Sequence, residues 1–179
     1  MEAIVGAAVG DAPGTSEGSS PAASASARLA IRLLLANGHP LYRQGLRQLL
    51  ELEDDLVVVG EAGSVAAALA LAEQLHPDVV LMDRTLPDGS GIAAVTEVRR
   101  VSPKTGVLIL ATFPEDHEAL QARQVGACAY LEKAGRAQQF VDAVRLAAGR
   151  VPEVAVSAAL PCPAPLAPPV PPDLTHRPA

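Results

Sequence analysis

The sequence predicts an α/β fold: a five-stranded parallel sheet with helices on both faces. Three observations predict it. Five short apolar runs recur between residues 31 and 132. They are rich in Val, Leu and Ile and apolar on both faces, as strands buried from two sides must be. A helical segment follows each run, and such strand–helix alternation implies right-handed crossovers and a parallel sheet.

The first strand is IRLLLA, residues 31–36, which stops at Asn37-Gly38. Pro40 suits the first turn of the next helix, where a missing N–H costs nothing. Tyr42, Leu46, Leu49 and Leu50 fall on one face of that helix. The second strand is LVVVG, residues 56–60. Ser64 can cap the second helix, which must stop before Pro77. DVVLMD, residues 78–83, is the third strand, and Ile92, Val95 and Val98 mark the third helix. GVLILA, residues 106–111, is the fourth strand, and Pro114 opens the fourth helix. ACAYLE, residues 127–132, is the fifth strand. Phe140, Ala143, Val144 and Ala147 give the fifth helix its apolar stripe.

Composition divides the chain of 179 residues in three. Residues 1–28 hold 17 Ala, Ser or Gly, too little apolar bulk for a core, so disorder is expected there. Residues 29–150 form the domain. Residues 151–179 hold 9 of the 16 prolines, which predicts an extended, disordered tail or linker. A peptide ligand for a proline-reading domain is the sharper alternative for that stretch.

Charge and composition narrow the function classes. Residues 29–150 carry 12 Lys/Arg against 15 Asp/Glu, which argues against nonspecific binding to a phosphate backbone. Aromatics are 2% of residues, so base-stacking platforms are not expected. The two cysteines, Cys128 and Cys162, lie far apart in unlike contexts. Neither a disulfide framework nor a zinc site is expected, and a reducing, cytoplasmic setting is the default. No apolar run approaches a membrane span, and the N-terminus lacks the basic opening of a secretion signal.

In open parallel sheets, functional groups gather past the carboxyl ends of the strands. Those positions here are Asn37 and Gly38, then Asp83, then Ala111 and Thr112, then Lys133. In the order 2-1-3-4-5 the first and third strands are neighbours, so Asn37 and Asp83 face each other and Lys133 reaches in. A lone Asp at a strand end is often a cap. An ammonium at the matching end of another strand favours a site, because it keeps the carboxylate charged and nucleophilic.

The segments GHPLYRQGLRQLLE, VVVGEA, HPDVVLMD, LPDGSG, ATF and GACAYLEK carry a resemblance. Residues 31–150 resemble the receiver domain of bacterial two-component response regulators. They look closest to the branch that carries a LuxR-type helix-turn-helix. The resemblance implies a flavodoxin-like, CheY-like fold. It implies that Asp83 is the phosphoacceptor for a histidine kinase and that Lys133 contacts the phosphoryl group. Tyr130 matches the switch aromatic, and Pro87 and Gly91 match the loop after the acceptor. Mg²⁺ is the implied cofactor, with Asp83 and the Thr85 backbone carbonyl as ligands. The fourth helix, fifth strand and fifth helix are the implied face for partners or a second copy.

The departures fall on the chemistry. The resemblance implies two acidic residues at the end of the first strand, and Asn37 and Gly38 stand there. Mg²⁺ wants six oxygens in tight octahedral geometry. The Asn37 amide oxygen can coordinate without full charge, and Gly38 offers no side chain. Ala111 replaces an expected Thr or Ser whose hydroxyl would bond the phosphoryl group. Thr112, one residue on, points to the other face while the strand lasts.

Three readings follow. The first is an atypical receiver, a pseudo-receiver with weak or absent Mg²⁺-dependent phosphorylation at Asp83. The second is a working phosphoacceptor. The third is a flavodoxin-like binder of a small molecule. An enzyme acting on other substrates is not expected. The tail segment DLTHRPA fits the Leu-Thr-x-Arg opening of a LuxR-type domain at Leu174, Thr175 and Arg177 only. Direct DNA binding by this chain is not expected.

Overall fold

The computed structural model describes residues 30–149. The expectations for residues 1–28 and 151–179 lie outside the described residues. The strands are β1 (Ile31–Ala36), β2 (Leu56–Ala62), β3 (Val79–Asp83), β4 (Thr85–Leu86), β5 (Gly89–Ser90), β6 (Gly106–Ala111) and β7 (Ala129–Glu132). The helices are α1 (Pro40–Leu50), α2 (Val65–Leu75), α3 (Gly91–Val101), α4 (Asp116–Gln124) and α5 (Ala137–Ala147). The five longer strands form one sheet in the order β2-β1-β3-β6-β7, every pair parallel. This is the predicted order 2-1-3-4-5. β4 and β5 form a separate two-residue antiparallel hairpin directly after β3.

Side chains alternate along each strand, so the sheet builds two cores. Ile31, Leu33 and Leu35 pack with Leu46 and Leu50 of α1 and with Phe140 and Val144 of α5. Leu34, Ala36, Val80, Met82 and Ile109 pack with Ala68 and Ala72 of α2, Val95 and Val98 of α3, and Ala122 of α4. Every residue of β3 and β6 is buried, which explains why those runs read as apolar on both faces.

Local signals set most helix ends. Pro40 occupies the first turn of α1. The Ser64 hydroxyl accepts the Ala67 N–H at 3.1 Å and caps α2. His76 then takes a left-handed φ of 43°, just before Pro77. Pro114 corrects the expectation: α4 begins at Asp116 with Glu115 as its N-cap, so Pro114 lies outside the helix. Asp116 and Glu118 in its first turn complement the helix dipole instead. Cys128 is buried.

Gly91 fixes how the hairpin returns to the sheet. A Cβ there would lie 2.0 Å from the Asp83 carbonyl oxygen, a backbone atom that cannot swing aside. Its N–H donates to the Arg84 carbonyl at 2.8 Å. Gly91→Ala is therefore expected to cost about 2–3 kcal/mol through overpacking. A urea titration checks this, and an unchanged midpoint would contradict the close approach.

Candidate functional site

The carboxyl ends of β1, β3, β6 and β7 meet along one edge of the sheet. Parallel register sets this, pairing Ala36 with Met82, Asp83 with Leu110, and Ala111 with Glu132. Asn37, Asp83, Ala111 and Lys133 consequently share one rim.

Asp83 is 4% exposed and Asn37 is 2% exposed, so their polar atoms must find partners within the fold. They find each other. Asn37 Nδ2 donates to Asp83 Oδ2 at 2.9 Å. Lys133 Nζ donates to the same oxygen at 2.7 Å. Among the described residues, Asp83 Oδ1 receives only the Thr85 N–H, at 3.4 Å. The amide of Asn37 has a defined orientation, because its Oδ1 accepts the His39 N–H at 2.7 Å. Turning it over would set an oxygen against the Asp83 carboxylate and an NH₂ against an N–H. Its backbone carbonyl accepts from the Arg43 guanidinium.

Lys133 is held on three sides. Its N–H donates to the Ala111 carbonyl at 2.7 Å. Its ammonium reaches Asp83 and lies 5.1 Å from the centre of the Tyr42 ring, a cation–π contact. Burial, and then the charge of Asp83, push the Tyr42 hydroxyl up to about 12. Tyr42 therefore stays neutral and supplies an aromatic face.

The β4–β5 hairpin closes one side of the rim. A Cβ at Gly38 would lie 3.1 Å from Pro87 Cδ, so the position of the second expected acid is pressed against the hairpin. The neighbouring Asp88 carboxylate accepts the Val65 N–H at 2.7 Å and the Ala66 N–H at 3.0 Å, which latches the hairpin to the start of α2. Those two backbone hydrogen bonds, Ala66 first, hold Asp88 below the usual carboxylate range.

The remaining sequence-predicted residues separate. Ala111 is buried, and Thr112 is exposed at the start of the following loop. Thr85 is exposed. Tyr130 is half-buried and bound elsewhere: its hydroxyl donates to Glu118 Oε2 at 2.6 Å. Glu118 also receives Arg84 Nη1 at 2.7 Å on each carboxylate oxygen. The Tyr130 hydroxyl and then Arg84 hold the Glu118 carboxyl below its usual range. Burial, and then Glu118, push Tyr130 up to about 12. Sequence inspection did not find this cluster. Its one signal was that Arg84 directly follows Asp83.

The family model for the response regulator receiver domain matches residues 33–145. The chain belongs to this family. It is 39% identical over 118 residues to the uncharacterized transcriptional regulatory protein YxjL of Bacillus subtilis, covering 66% of this chain and 54% of that one. It is 36% identical over 115 residues to the response regulator protein VraR of Staphylococcus aureus, covering 64% and 55%. The chain spans about half the length of these curated relatives. A two-component response regulator of the LuxR family from Aurantimonas superposes with TM-score 0.64 at 34% identity, covering 68% of this chain and 87% of that one. The signal receiver domain of a response regulator, NarL, from Mycobacterium tuberculosis gives the same TM-score at 35% identity, covering 67% and 97%.

Receiver domains usually bind Mg²⁺ at the phosphorylation site. The residues of this receiver do not fit that ion. The Asn37 amide turns its NH₂ toward Asp83 and its oxygen toward His39. Gly38 contributes no side chain. Among the described residues, no three His, Cys, Asp or Glu side chains converge to hold a metal.

The Glu118 cluster has a pH signature. A carboxyl whose folded value lies below its ordinary 4.5 stabilises the fold fully above that value. It loses the contribution as pH falls through the folded value. The difference in urea midpoint between wild type and Glu118→Gln is expected to be largest near neutrality and to shrink in acid. A difference independent of pH would contradict the assignment.

Proposed function

We propose that this receiver is an atypical one, which signals through its surface with little or no Mg²⁺-dependent phosphorylation at Asp83. One observation carries the reading: Asp83 Oδ2 is shared by Lys133 and by the Asn37 amide, a donor standing where the family implies an acid. A carboxylate neutralised by an ammonium and capped by an amide has little charge left to attract a divalent cation. The position of Gly38 adds nothing, because Pro87 lies against it.

Response regulator receivers interact with histidine kinases and dimerise. For this chain we take a kinase or another signalling protein in the cytoplasm as the partner. The surface of α4, β7 and α5 is the face that meets it or a second copy. Phe113 and Leu120 at the α4 end are 77% and 57% exposed, apolar area that fits such a role. Arg145 of α5 is engaged within the fold. It binds Asp55 at 2.6 Å and Glu53 at 2.8 Å, and so ties α5 to the loop before β2. No helix among the described residues is long and apolar enough to cross a membrane.

The second reading, a working phosphoacceptor, has one observation in its favour. Among the described residues, Asp83 Oδ1 is engaged only at 3.4 Å, so one oxygen keeps lone pairs for an incoming phosphoryl group. Nothing favours the third reading, a small-molecule binder. Incubation with acetyl phosphate and Mg²⁺, followed by intact mass, decides between the first two. Wild type is expected to gain almost no phosphoryl group. Asn37→Asp combined with Gly38→Asp is expected to gain it, provided Pro87 yields to the new side chain. Adding Asp83→Asn should abolish the gain. Robust labelling of the unmodified receiver would establish the working phosphoacceptor instead.

A further inference from the structure

Asn37 is the one asparagine in the chain, and glycine follows it. Asn-Gly is the dipeptide most open to loss of the side-chain amide, because glycine leaves the following backbone nitrogen unshielded. We propose that Asn37-Gly38 is a self-modification site, at which the Asn37 side chain loses ammonia and becomes a carboxylate.

The step balances without any redox partner. The Gly38 nitrogen bonds to Asn37 Cγ, and its proton leaves to solvent hydroxide. The Cγ–Nδ2 bond breaks, and Nδ2 departs as ammonia after taking up one proton. Water then opens the five-membered succinimide, leaving aspartate or isoaspartate at position 37.

Three features serve that step. The Gly38 N–H makes no hydrogen bond among the described residues, and the glycine is only half-buried. Asn37 Oδ1 already accepts the His39 N–H at 2.7 Å. That donor polarises the amide carbon and is in place for the oxyanion of the tetrahedral intermediate. Nδ2, the leaving group, sits 2.9 Å from Asp83 Oδ2, which is 2.7 Å from the Lys133 ammonium. Lys133 can therefore deliver the departing proton through Asp83. The same hydrogen bonds also hold the amide still. Ring closure needs the β1–α1 junction to flex, and that junction ends in the exposed His39.

The product puts a carboxylate at a position where the family implies an acid. What that does to metal affinity rests on the reading of the preceding section; the modification itself does not.

The test uses the full chain, freshly purified and incubated in heavy-oxygen water at mildly alkaline pH. Peptide mapping follows one heavy oxygen entering position 37, and the single asparagine makes the assignment unambiguous. Conversion in the folded chain is expected to be at least as fast as in the same chain unfolded in urea, and to speed up as pH rises. Gly38→Ala should slow it roughly tenfold, the factor given by about 1.4 kcal/mol of barrier. Since that Cβ would press on Pro87, Lys133→Gln is the second variant, expected to slow conversion in the folded chain and not in urea. An amide that persists in the folded chain while the unfolded chain converts would overturn the proposal, because the fold would then protect it. Equal rates for Lys133→Gln and wild type in the folded state would also count against it. The readout is mass at position 37, so it stands or falls independently of whether Asp83 is phosphorylated.

Discussion

One oxygen atom organises this receiver. Asp83 Oδ2 takes hydrogen bonds from Lys133 and Asn37. The Lys133 and Asp83 side chains are only 13% and 6% exposed. A buried carboxylate is costly unless it is paired and hydrogen-bonded, and removing one partner of such a pair costs about 3–5 kcal/mol. The pocket meets that requirement with its own residues: one negative charge, one positive charge and one neutral donor. In the arrangement the family implies, three carboxylates crowd together and need a divalent cation to do so. Here the electrostatics already balance, and a cation would have to break a hydrogen bond to enter.

The surroundings preserve that balance. Lys133 is anchored by its backbone bond to Ala111 and by the Tyr42 ring. Asn37 is anchored by the His39 N–H. The hairpin beyond β3 is latched to α2 through Asp88, and it presses Pro87 against Gly38. On the opposite side, Arg84 carries the chain from Asp83 to α4, where Glu118 joins Arg84 and Tyr130. The Glu118 cluster ties α4 to the residue beside Asp83 without any hydroxyl at position 111. Charge-assisted bonds to a partly buried carboxylate thus fasten α4 to the end of β3.

Much of this was legible in the sequence. Strand ends were visible because β1, β3 and β6 are short apolar runs with sharp polar stops. The strand order then brought Asn37, Asp83 and Lys133 to one rim. Other features were not legible, for physical reasons. The direction of the Asn37 amide depends on the His39 N–H, a backbone group that no residue type announces. The union of Arg84 with Glu118 spans 34 positions and depends on how α4 docks. The union of Arg145 with Asp55 and Glu53 spans about 90 positions and depends on how α5 docks. Pro114 fitted a helix start by type, yet the cap formed one residue later at Glu115.

The central claim is that the Asn37–Asp83–Lys133 triad satisfies the pocket without a metal. Calorimetric titration of Mg²⁺ into freshly purified protein, with the amide at position 37 verified intact, tests it most directly. The account predicts no saturable heat through the millimolar range. A saturable site that tightens into the submillimolar range and vanishes in Asp83→Asn would contradict it.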